Sequence, residues 1–311
     1  MLAFITSIYL TRNFFLKDAA GDSSIRQQRA GIAQGCPLSP YLFIIVQTVM
    51  FHDIDKLYNE LGIHFVEPEY VVCNDVLYAD DTMLVSGSAV KIQLLLDFTI
   101  KVGKQYGLDL NWSKTVVMRI NNDGLVLDPS LQPIKHVRQA VYLGGLLHIN
   151  ADSKPEVTRR MGEARGVFRA LTKCWNHAGI SKSRKLRLFD AIVVPKLLYN
   201  LESLWLLQAD RHRLDSFQAS CLRKILGIQH SYYSRVSNAT VLTTARADRL
   251  SEALRTRQTQ SYERICSLPN GSYLRSLVCQ PGTSTPRQWH LVRRRGRPKL
   301  QWAHCVYRLL Q

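Results

Sequence analysis

The spacing of apolar residues predicts a chain whose first half mixes helices with hairpins. Apolar positions recur at helical spacing in residues 1–16 and 90–106, and the strongly apolar run over residues 41–51 predicts a buried helix. Residues 108–118 are predicted to form a turn and a strand. Residues 141–147, VYLGGLL, are predicted to form a short hairpin, because the Gly-Gly pair fits a two-residue turn.

After residue 153 the pattern becomes helical, with cationic side chains on the faces that the apolar stripe leaves free. The predicted elements are a helix from Ser153, a helix over residues 183–207 capped by Ser181, a helix over residues 214–226, a polar helical segment over residues 238–265 and a linker over residues 267–290. Pro195 should kink or divide the second of these helices, because proline removes a backbone donor.

Residues 71–86, VVCNDVLYADDTMLVS, carry two short apolar runs around a polar tip. This pattern predicts a β-hairpin with Asp80 and Asp81 at its turn. Adjacent carboxylates repel each other unless a cation neutralises them, and Mg²⁺ prefers carboxylate and phosphate oxygens. The pair therefore indicates a site for nucleotidyl transfer. An ordinary acidic turn is the alternative, because aspartate is a favoured turn residue.

Residues 31–40, GIAQGCPLSP, are predicted to form a shaped loop at the start of a helix. Gly35 allows a ligand or another backbone to approach closely, and Gln34 beside it offers both amide donors and a carbonyl acceptor. The alternative is that the two prolines only start the helix that follows.

Charge divides the chain in two. Residues 1–153 carry 12 Lys and Arg against 15 Asp and Glu, whereas residues 154–311 carry 29 against 9, and the net charge is +17. The basic half predicts a phosphate-bearing partner, with solvated surface as the alternative. The candidate nucleic-acid contacts are Arg159, Arg160, Arg165, Arg169, Lys182, Arg184, Lys185, Arg187, Arg293, Arg294, Arg295 and Arg297. The last four belong to an AT-hook-like RRRGRP segment, for which nonspecific basic character is the alternative.

Cysteine spacing and hydropathy exclude several classes of protein. The seven cysteines are scattered without CxxC spacing, which favours reduced thiols in an intracellular protein. Cys266 and Cys279, with histidines further on, match no compact zinc spacing. The apolar start of the chain lacks the basic region and cleavage site of a signal peptide, and no apolar run is long enough to span a membrane.

Four motifs, in this order and with these gaps, resemble the reverse transcriptase of non-LTR (LINE-type) retrotransposons. They are GIAQGCPLSP at residues 31–40, YADD at residues 78–81, GLDLN with SKT at residues 107–115, and YLGG at residues 142–145. The similarity runs from about residue 1 to residue 228. The segment RRRGRP with Trp302 after it is also similar to one that follows the thumb in many such elements.

The resemblance implies an α+β fold, in which a right-hand polymerase palm is followed by an all-α thumb and a partly ordered basic tail. The palm would be an antiparallel sheet with helices on one face. A partial palm is expected over residues 1–150, the helical thumb over residues 151–228, and a basic helical or linker region over residues 229–311.

The resemblance also implies an RNA-directed DNA polymerase with two Mg²⁺ ions, an RNA template, a DNA primer and dNTPs as partners, and neither a membrane nor a further cofactor. Asp80 and Asp81 would be metal ligands and catalytic residues, together with Lys114 near the leaving pyrophosphate. The residues implied at the template and nucleotide are Gln34, Gly35, Pro37, Leu38, Ser39 and Tyr78. The residues implied at the primer end are Leu143, Gly144 and Gly145.

The chain departs from the family at the first catalytic aspartate, which in the family lies on a strand well upstream of the GxxQGxPLSP block. The upstream candidates here, Asp18 and Asp22, lie at a polar turn. We therefore expect a truncated polymerase that does not polymerise alone. The alternatives are a non-enzymatic nucleic-acid-binding remnant of a retroelement and an RNA-binding protein of the group II intron maturase type. A nuclear location is only what a retroelement product would require.

Overall fold

The computed structural model describes residues 2–10, 12–18, 21–28, 31–65, 67, 73–177, 179–289 and 300–311. In these ranges helices alternate with small antiparallel strand pairs up to residue 148, and the remainder is helical, in agreement with the predicted α+β class. The chain forms two compact units. The first consists of Met1–His64, Leu77–Thr82 and Leu94–Leu110, and the second of Phe65–Val76, Met83–Gln93 and Asn111–Gln311.

The first unit begins with a helix and an exposed, nested hairpin. Its first elements are α1 (Leu2–Leu10), β1 (Asn13–Phe14), β2 (Lys17–Asp18), β3 (Gly21–Asp22), β4 (Arg26–Gln27) and α2 (Ser39–Glu60). β1 pairs with β4 and β2 pairs with β3, both antiparallel. The helix predicted at the start of the chain is therefore confirmed over a shorter range.

Helix α2 confirms the predicted helix over residues 41–51 and extends beyond it at both ends. Its buried apolar side chains are Met50, Phe51 and Ile54, whereas Tyr41, Ile44 and Ile45 are each more than half exposed. The prediction of a buried helix is thus wrong for the first half of this run. The run is apolar on every side, and a core on one side of a helix covers only the stripe that faces it.

Helix α3 (Ala89–Gln105) confirms the third predicted helix of this half. The hydroxyl of Tyr106, just after its end, donates a 2.5 Å hydrogen bond to Oδ2 of Asp53 on α2. A Cβ atom at Gly103 would lie 3.1 Å from the carbonyl oxygen of Leu108, so the chain turns back tightly against this helix. The hydrogen bond from Tyr106 joins the end of α3 to α2.

Both predicted hairpins are present. β5 (Asp75–Tyr78) pairs with β6 (Asp81–Leu84), and β7 (Gln139–Tyr142) pairs antiparallel with β8 (Gly145–His148). The strand predicted within residues 108–118 is not formed, since only an isolated bridge joins Val117 to His136. Across the described ranges the strands form four separate pairs and not one continuous sheet.

The second unit is mainly a helical bundle. Its helices are α4 (Lys154–His177), α5 (Lys182–Leu188), α6 (Val194–Leu198), α7 (Gln208–Leu226), α8 (Ser231–Ser234), α9 (Asn238–Ala245), α10 (Leu250–Cys266), α11 (Tyr273–Val278) and α12 (Trp302–Leu310). Ser181 accepts from the amide of Arg184 and so caps α5 as predicted, and Gly227 ends α7 with a φ of 75°.

The second predicted helix is divided before Pro195, as expected, but by a π-helical turn that the sequence did not predict. Phe189–Val193 form a π-helical turn between α5 and α6, closed by the amide of Val194 on the carbonyl of Phe189. Proline has no amide hydrogen, and its ring clashes with the carbonyl four residues earlier. Widening the preceding turn by one residue relieves that clash, which is a recognised origin of π-bulges.

The apolar stripe predicted on the helix from Ser153 is confirmed on α4. Val157, Met161, Ala164 and Phe168 are buried in one core with residues of α6, α7, α9 and α10. The ring of Phe168 lies edge-on to Phe189, with 6.0 Å between the ring centroids. Each fully buried side chain of this size contributes roughly 1.5–3 kcal/mol to folding.

The C-terminal helix packs against α10. The ring centroid of Tyr262 is 6.1 Å from those of Trp302 and Tyr307, and the indole of Trp302 donates to the carbonyl of Glu202 over 2.8 Å. No helix in the described part of the chain combines the length and the apolar character that a membrane span needs.

The prediction of a linker over residues 267–290 is wrong for most of the segment. It contains α11, and Cys279 is only 1% exposed. Cys279 also forms a backbone bridge with Pro286. Proline, glycine and serine here build turns that fold the segment onto α10 and do not leave it extended.

Candidate functional site

The two predicted catalytic carboxylates lie at the tip of the β5–β6 hairpin. Ala79 and Asp80 connect the strands, and Ala79 has a φ of 50°, a conformation that residues other than glycine rarely adopt. Tyr78, Asp80 and Asp81 are exposed. Among the described residues, neither carboxylate of this pair has an ion-pair partner. The tip therefore presents hard anionic oxygens to solvent.

A divalent cation fits this donor set only in part. Carboxylate oxygens suit Mg²⁺, which usually keeps water and phosphate oxygens as its other ligands. In the ranges that the structure describes, no group of three or more His, Cys, Asp or Glu side chains could hold a metal. Asp80 and Asp81 would thus hold a cation together with ligands that a bound triphosphate supplies.

Glu67 supports the hairpin from outside the predicted motif. Its carboxylate accepts from the hydroxyl of Ser86, from the amide of Gly87 over 2.7 Å, and from Nζ of Lys91 over 3.0 Å. Burial raises the pKa of Glu67, but these hydrogen bonds and the lysine charge outweigh burial and hold it below its usual value. No local pattern indicates this contact, because its partners are about twenty residues apart in the chain.

A hydrogen bond connects two of the predicted motifs. The hydroxyl of Tyr142, the first residue of YLGG, donates to the carbonyl oxygen of Val76 on β5 over 3.0 Å. The second hairpin is thereby fastened to the strand that leads into YADD. Sequence reasoning assigned no role to Tyr142, and this contact crosses 66 positions of the chain.

Hydrogen bonds of the buried Ser39 side chain hold the loop over residues 31–40 in place. Ser39 is buried, and its hydroxyl donates to the carbonyl of Ala33 over 2.7 Å and lies 3.0 Å from the hydroxyl of Tyr9. Gln34 is exposed, and Gly35 has a φ of 83°. Of the six residues predicted to contact template and nucleotide, Ser39 thus serves to hold the loop, while Gln34 and Gly35 face outward.

Cys36 in this loop is a candidate functional residue that the sequence motifs did not indicate. A hydrogen bond from the backbone of Leu38, together with Tyr9 and Ser39, lowers the pKa of its thiol to about 7. The thiol stands just before the start of α2, where backbone amides favour an anion. Pro37 is exposed and Leu38 half-buried at the same helix start.

Lys114 lies at an exposed turn of the second unit. The amide of Lys114 donates to the carbonyl of Asn111 over 3.0 Å, and the hydroxyl of Ser113 donates to the Asn111 side chain over 2.7 Å. The turn therefore presents the lysine side chain to solvent and leaves it available to an anion.

Residues of the helical bundle contact the turn of the second hairpin. Leu143 and Gly144 are its central residues, with φ of 47° and 72°, so the predicted Gly-Gly turn is displaced by one residue. This is a primed turn, in which both central residues have positive φ. Tyr199 donates to the carbonyl of Leu143 over 2.9 Å, and Gly145 faces the amide of Asn200 so closely that a Cβ would lie 2.0 Å from it.

Arg159 and Arg160, two predicted nucleic-acid contacts, are engaged inside the protein. Both donate to the carbonyl of Gly144, and both bind the carboxylate of Glu156, which is fully buried. Glu163 adds a second carboxylate, 2.8 Å from Arg159. These arginines therefore fasten the hairpin turn to α4.

The other predicted cationic contacts are more open. Those with exposed side chains are Arg165, Arg169, Lys182, Arg184 and Arg187. Lys185 is half-buried, with Nζ 5.9 Å from the centroid of the Trp175 ring, and Lys182 donates to the carbonyl of Leu226 over 2.7 Å. Arg293, Arg294, Arg295 and Arg297 lie outside the described residues.

Residues 1–147 match the model of the family described as reverse transcriptase (RNA-dependent DNA polymerase). The chain is 27% identical over 160 residues to a transposon-derived protein of Caenorhabditis elegans, an alignment that covers 49% of this chain and 56% of that protein. It is 28% identical over 186 residues to the retrovirus-related Pol polyprotein of the type-1 retrotransposable element R2 of Popillia japonica. That alignment covers 56% of this chain and 24% of the polyprotein. The resemblance predicted from the four motifs is confirmed.

Proposed function

Because residues 1–147 resemble the reverse transcriptase of a non-LTR retrotransposon, we propose that this chain is part of an RNA-directed DNA polymerase of such an element. The observation that carries the proposal is the exposed pair Asp80 and Asp81 at the hairpin tip. The proposed partners are an RNA template, a DNA primer and dNTPs, with Mg²⁺ as the cofactor.

In this proposal Asp80 and Asp81 hold Mg²⁺ through their carboxylate oxygens. Two such ions held there would supply the Lewis acidity needed at the primer 3′-hydroxyl and at the leaving oxygen. The protein contributes by holding the strands that carry the acidic tip, through Glu67, which binds Gly87 just after β6, and through Tyr142 of β7, which donates to Val76 of β5. Lys114 offsets the charge of the leaving pyrophosphate or gives it a proton.

The remaining predicted site residues take positioning roles. Gln34, Gly35, Pro37 and Leu38 form the outward side of the loop that Ser39 holds, and they would support the templating base pair. Tyr78 would pack near the primer terminus. Leu143 and Gly144 are exposed and would contact the primer end, although their carbonyls already bind Tyr199 and Arg159. Gly145 is buried against Asn200 and would act by setting the shape of this turn. The palm and thumb division of the chain stays a prediction.

Primer extension on an RNA template tests the assignment. We expect no extension by this chain alone, so the assay uses the chain joined to a reverse-transcriptase segment that supplies the first catalytic aspartate. In that form Mg²⁺-dependent extension should be lost in Asp80→Asn and in Asp81→Asn, whereas Asp123→Asn, at another exposed aspartate, serves as the matched control and retains it. Extension that survives Asp80→Asn would remove the metal assignment. Electron paramagnetic resonance of bound Mn²⁺ on the same variants reports the metal site without requiring turnover.

A second function, a nucleic-acid-binding remnant without catalysis, is favoured by one observation. The basic half carries 29 Lys and Arg against 9 Asp and Glu, while the hairpin tip offers only two carboxylates. Tight binding of an RNA–DNA duplex, without extension and without Mn²⁺ binding at Asp80, would support this function over the polymerase.

A further inference from the structure

Two tyrosines of the short helix α8 project from the bundle. Tyr232 is 67% exposed and Tyr233 is 73% exposed. Their rings contact each other edge to face, with 5.2 Å between centroids and an angle of 87° between planes. Single exposed apolar side chains are common, but two adjacent aromatic rings that contribute nothing to the core require another explanation.

The backbone around these tyrosines is held by a buried charge. Arg223 of α7 is 7% exposed and donates to the carbonyls of Gln229 over 2.9 Å and Val236 over 2.6 Å, and to Oδ1 of Asn238 over 3.0 Å. Burial of a guanidinium is unfavourable unless its donors are satisfied. The bundle thus uses a desolvated arginine to fix a segment whose aromatic side chains point to solvent.

The surroundings of the tyrosine pair are cationic. Residues 216–247 contain four Lys and Arg and no Asp or Glu. The guanidinium carbon of Arg235 lies 5.5 Å from the centroid of the Tyr232 ring, and Lys182 binds the end of α7 at Leu226. Within residues 224–240, the exposed large apolar side chains are the two tyrosines alone. A cationic segment without acidic residues suits a polyanionic partner.

We propose that Tyr232 and Tyr233, with Arg235, form a platform on which the bases of a single-stranded nucleic acid stack. Aromatic faces receive bases of any identity, and neighbouring cations neutralise the phosphates between them. The fixed backbone limits the ordering cost of binding. The proposal rests on the proposed function in taking nucleic acid as the partner, and it names a surface that none of the four motifs includes.

Fluorescence anisotropy with a labelled oligouridylate or oligothymidylate, without metal or dNTPs, tests the platform. Tyr232→Ala and Tyr233→Ala should each weaken binding by roughly ten-fold or more, since a base stacked on an aromatic ring is worth about that much. Phenylalanine at both positions should retain affinity. Tyr273→Ala is the matched control, because Tyr273 is 66% exposed on α11, and it should change nothing.

Salt and strand state separate stacking from charge. The loss in the alanine variants should persist as salt is raised, whereas the loss in Arg235→Ala should shrink. Binding of a fully paired duplex should be insensitive to the tyrosine variants. Equal losses on duplex and single strand, no loss on either, or no binding of single strands by the wild-type chain would each overturn the platform.

The outcome is independent of catalysis, since the binding assay requires no turnover. If the tyrosine variants reveal no stacking contribution while primer extension is intact, only the platform proposal is overturned. If extension survives Asp80→Asn while stacking is intact, only the metal assignment of the polymerase proposal is overturned. Circular dichroism of each variant confirms the fold, which exposed tyrosines should not affect.

Discussion

The guanidinium of Arg159 donates a 2.7 Å hydrogen bond to the carbonyl oxygen of Gly144, at the turn of the second hairpin. The same arginine binds Glu156 and Glu163, so one side chain connects a β-turn to two carboxylates of α4. The hairpin turn and the first three turns of α4 therefore form one ionic and hydrogen-bonded network. Changes at any member should affect the others.

Replacement of Glu156 by glutamine should be strongly destabilising. Its carboxylate is fully buried and accepts 2.8 Å bonds from Nε of both Arg159 and Arg160. Removal of one partner of a buried ion pair leaves an uncompensated charge, and a cost of about 3–5 kcal/mol is expected. Urea denaturation measures it. Glu252→Gln, at an exposed position of α10, is the control, and an equal effect of the two variants would contradict the network.

Gly145→Ala should lower the free energy of unfolding by about 1–3 kcal/mol, the usual cost of overpacking. The new methyl group would lie 2.0 Å from the side-chain nitrogen of Asn200, whose own φ is 63°. Gly162→Ala on α4 is the matched control, because nothing lies within 4 Å of its Cβ position. That variant should be stabilised by about 0.4–1 kcal/mol. The same sign for both changes in thermal unfolding would refute the packing assignment.

Glu67 should make the stability of the chain sensitive to acid. Its pKa is lower in the folded chain than in the unfolded one, because the bonds from Ser86, Gly87 and Lys91 outweigh the effect of burial. Its contribution is therefore complete above the unfolded pKa of about 4.3 and is lost as pH falls through the lower folded pKa.

Denaturation of wild type and Glu67→Gln across an acidic pH series checks this. The wild-type chain should be the more stable above about pH 4.3, and the difference should shrink below it. Glu60→Gln, at an exposed end of α2, controls for loss of one negative charge. A difference that is constant with pH would show that Glu67 stabilises through shape and not through charge.

Cys266 and Cys279 should form a disulfide under mild oxidation. Their sulfur atoms lie 3.2 Å apart, and burial is the main cause that raises the pKa of the Cys279 thiol to about 12. Because thiolate is the reactive form, bond formation should be slow at neutral pH and faster in base.

The crosslink would close a loop of fewer than fifteen residues and should stabilise by up to about 3 kcal/mol. Non-reducing peptide mapping detects it, and Cys266→Ser should abolish it. Cys174→Ser removes an exposed thiol elsewhere and should leave the bond unchanged. A mixture of disulfides with no preference for this pair would contradict the geometry.

Local patterns predicted the elements well. Helices α2 and α3, the stripe on α4, the cap at Ser181 and both hairpins follow from spacing over a few residues, so the sequence displays them directly. The four motifs likewise predicted the resemblance to reverse transcriptases, which the match over residues 1–147 confirms.

The contacts that support the site were not predictable in the same way. Tyr142 meets Val76 across 66 positions, and Arg223 meets Asn238 through a loop with no regular pattern. Such contacts depend on how segments distant in the sequence pack together. The periodicity of apolar residues within one element carries no information about that packing. The predicted linker failed for a related reason: composition rich in turn formers does not tell a packed turn from an extended one.

The π-helical turn at Phe189–Val193 has a consequence for the cationic surface of α5. Successive residues of an α-helix advance by about 100° around its axis, and the extra residue in this turn offsets the phase of α6 by that angle. Leu197 and Leu198 of α6 are both fully buried, so the core fixes the rotation of α6 about its axis. The extra residue in the π-helical turn then sets the direction in which Arg184 and Arg187 of α5 point. Deletion of a single residue from this turn would rotate the positive face of α5 about the helix axis without changing its charge.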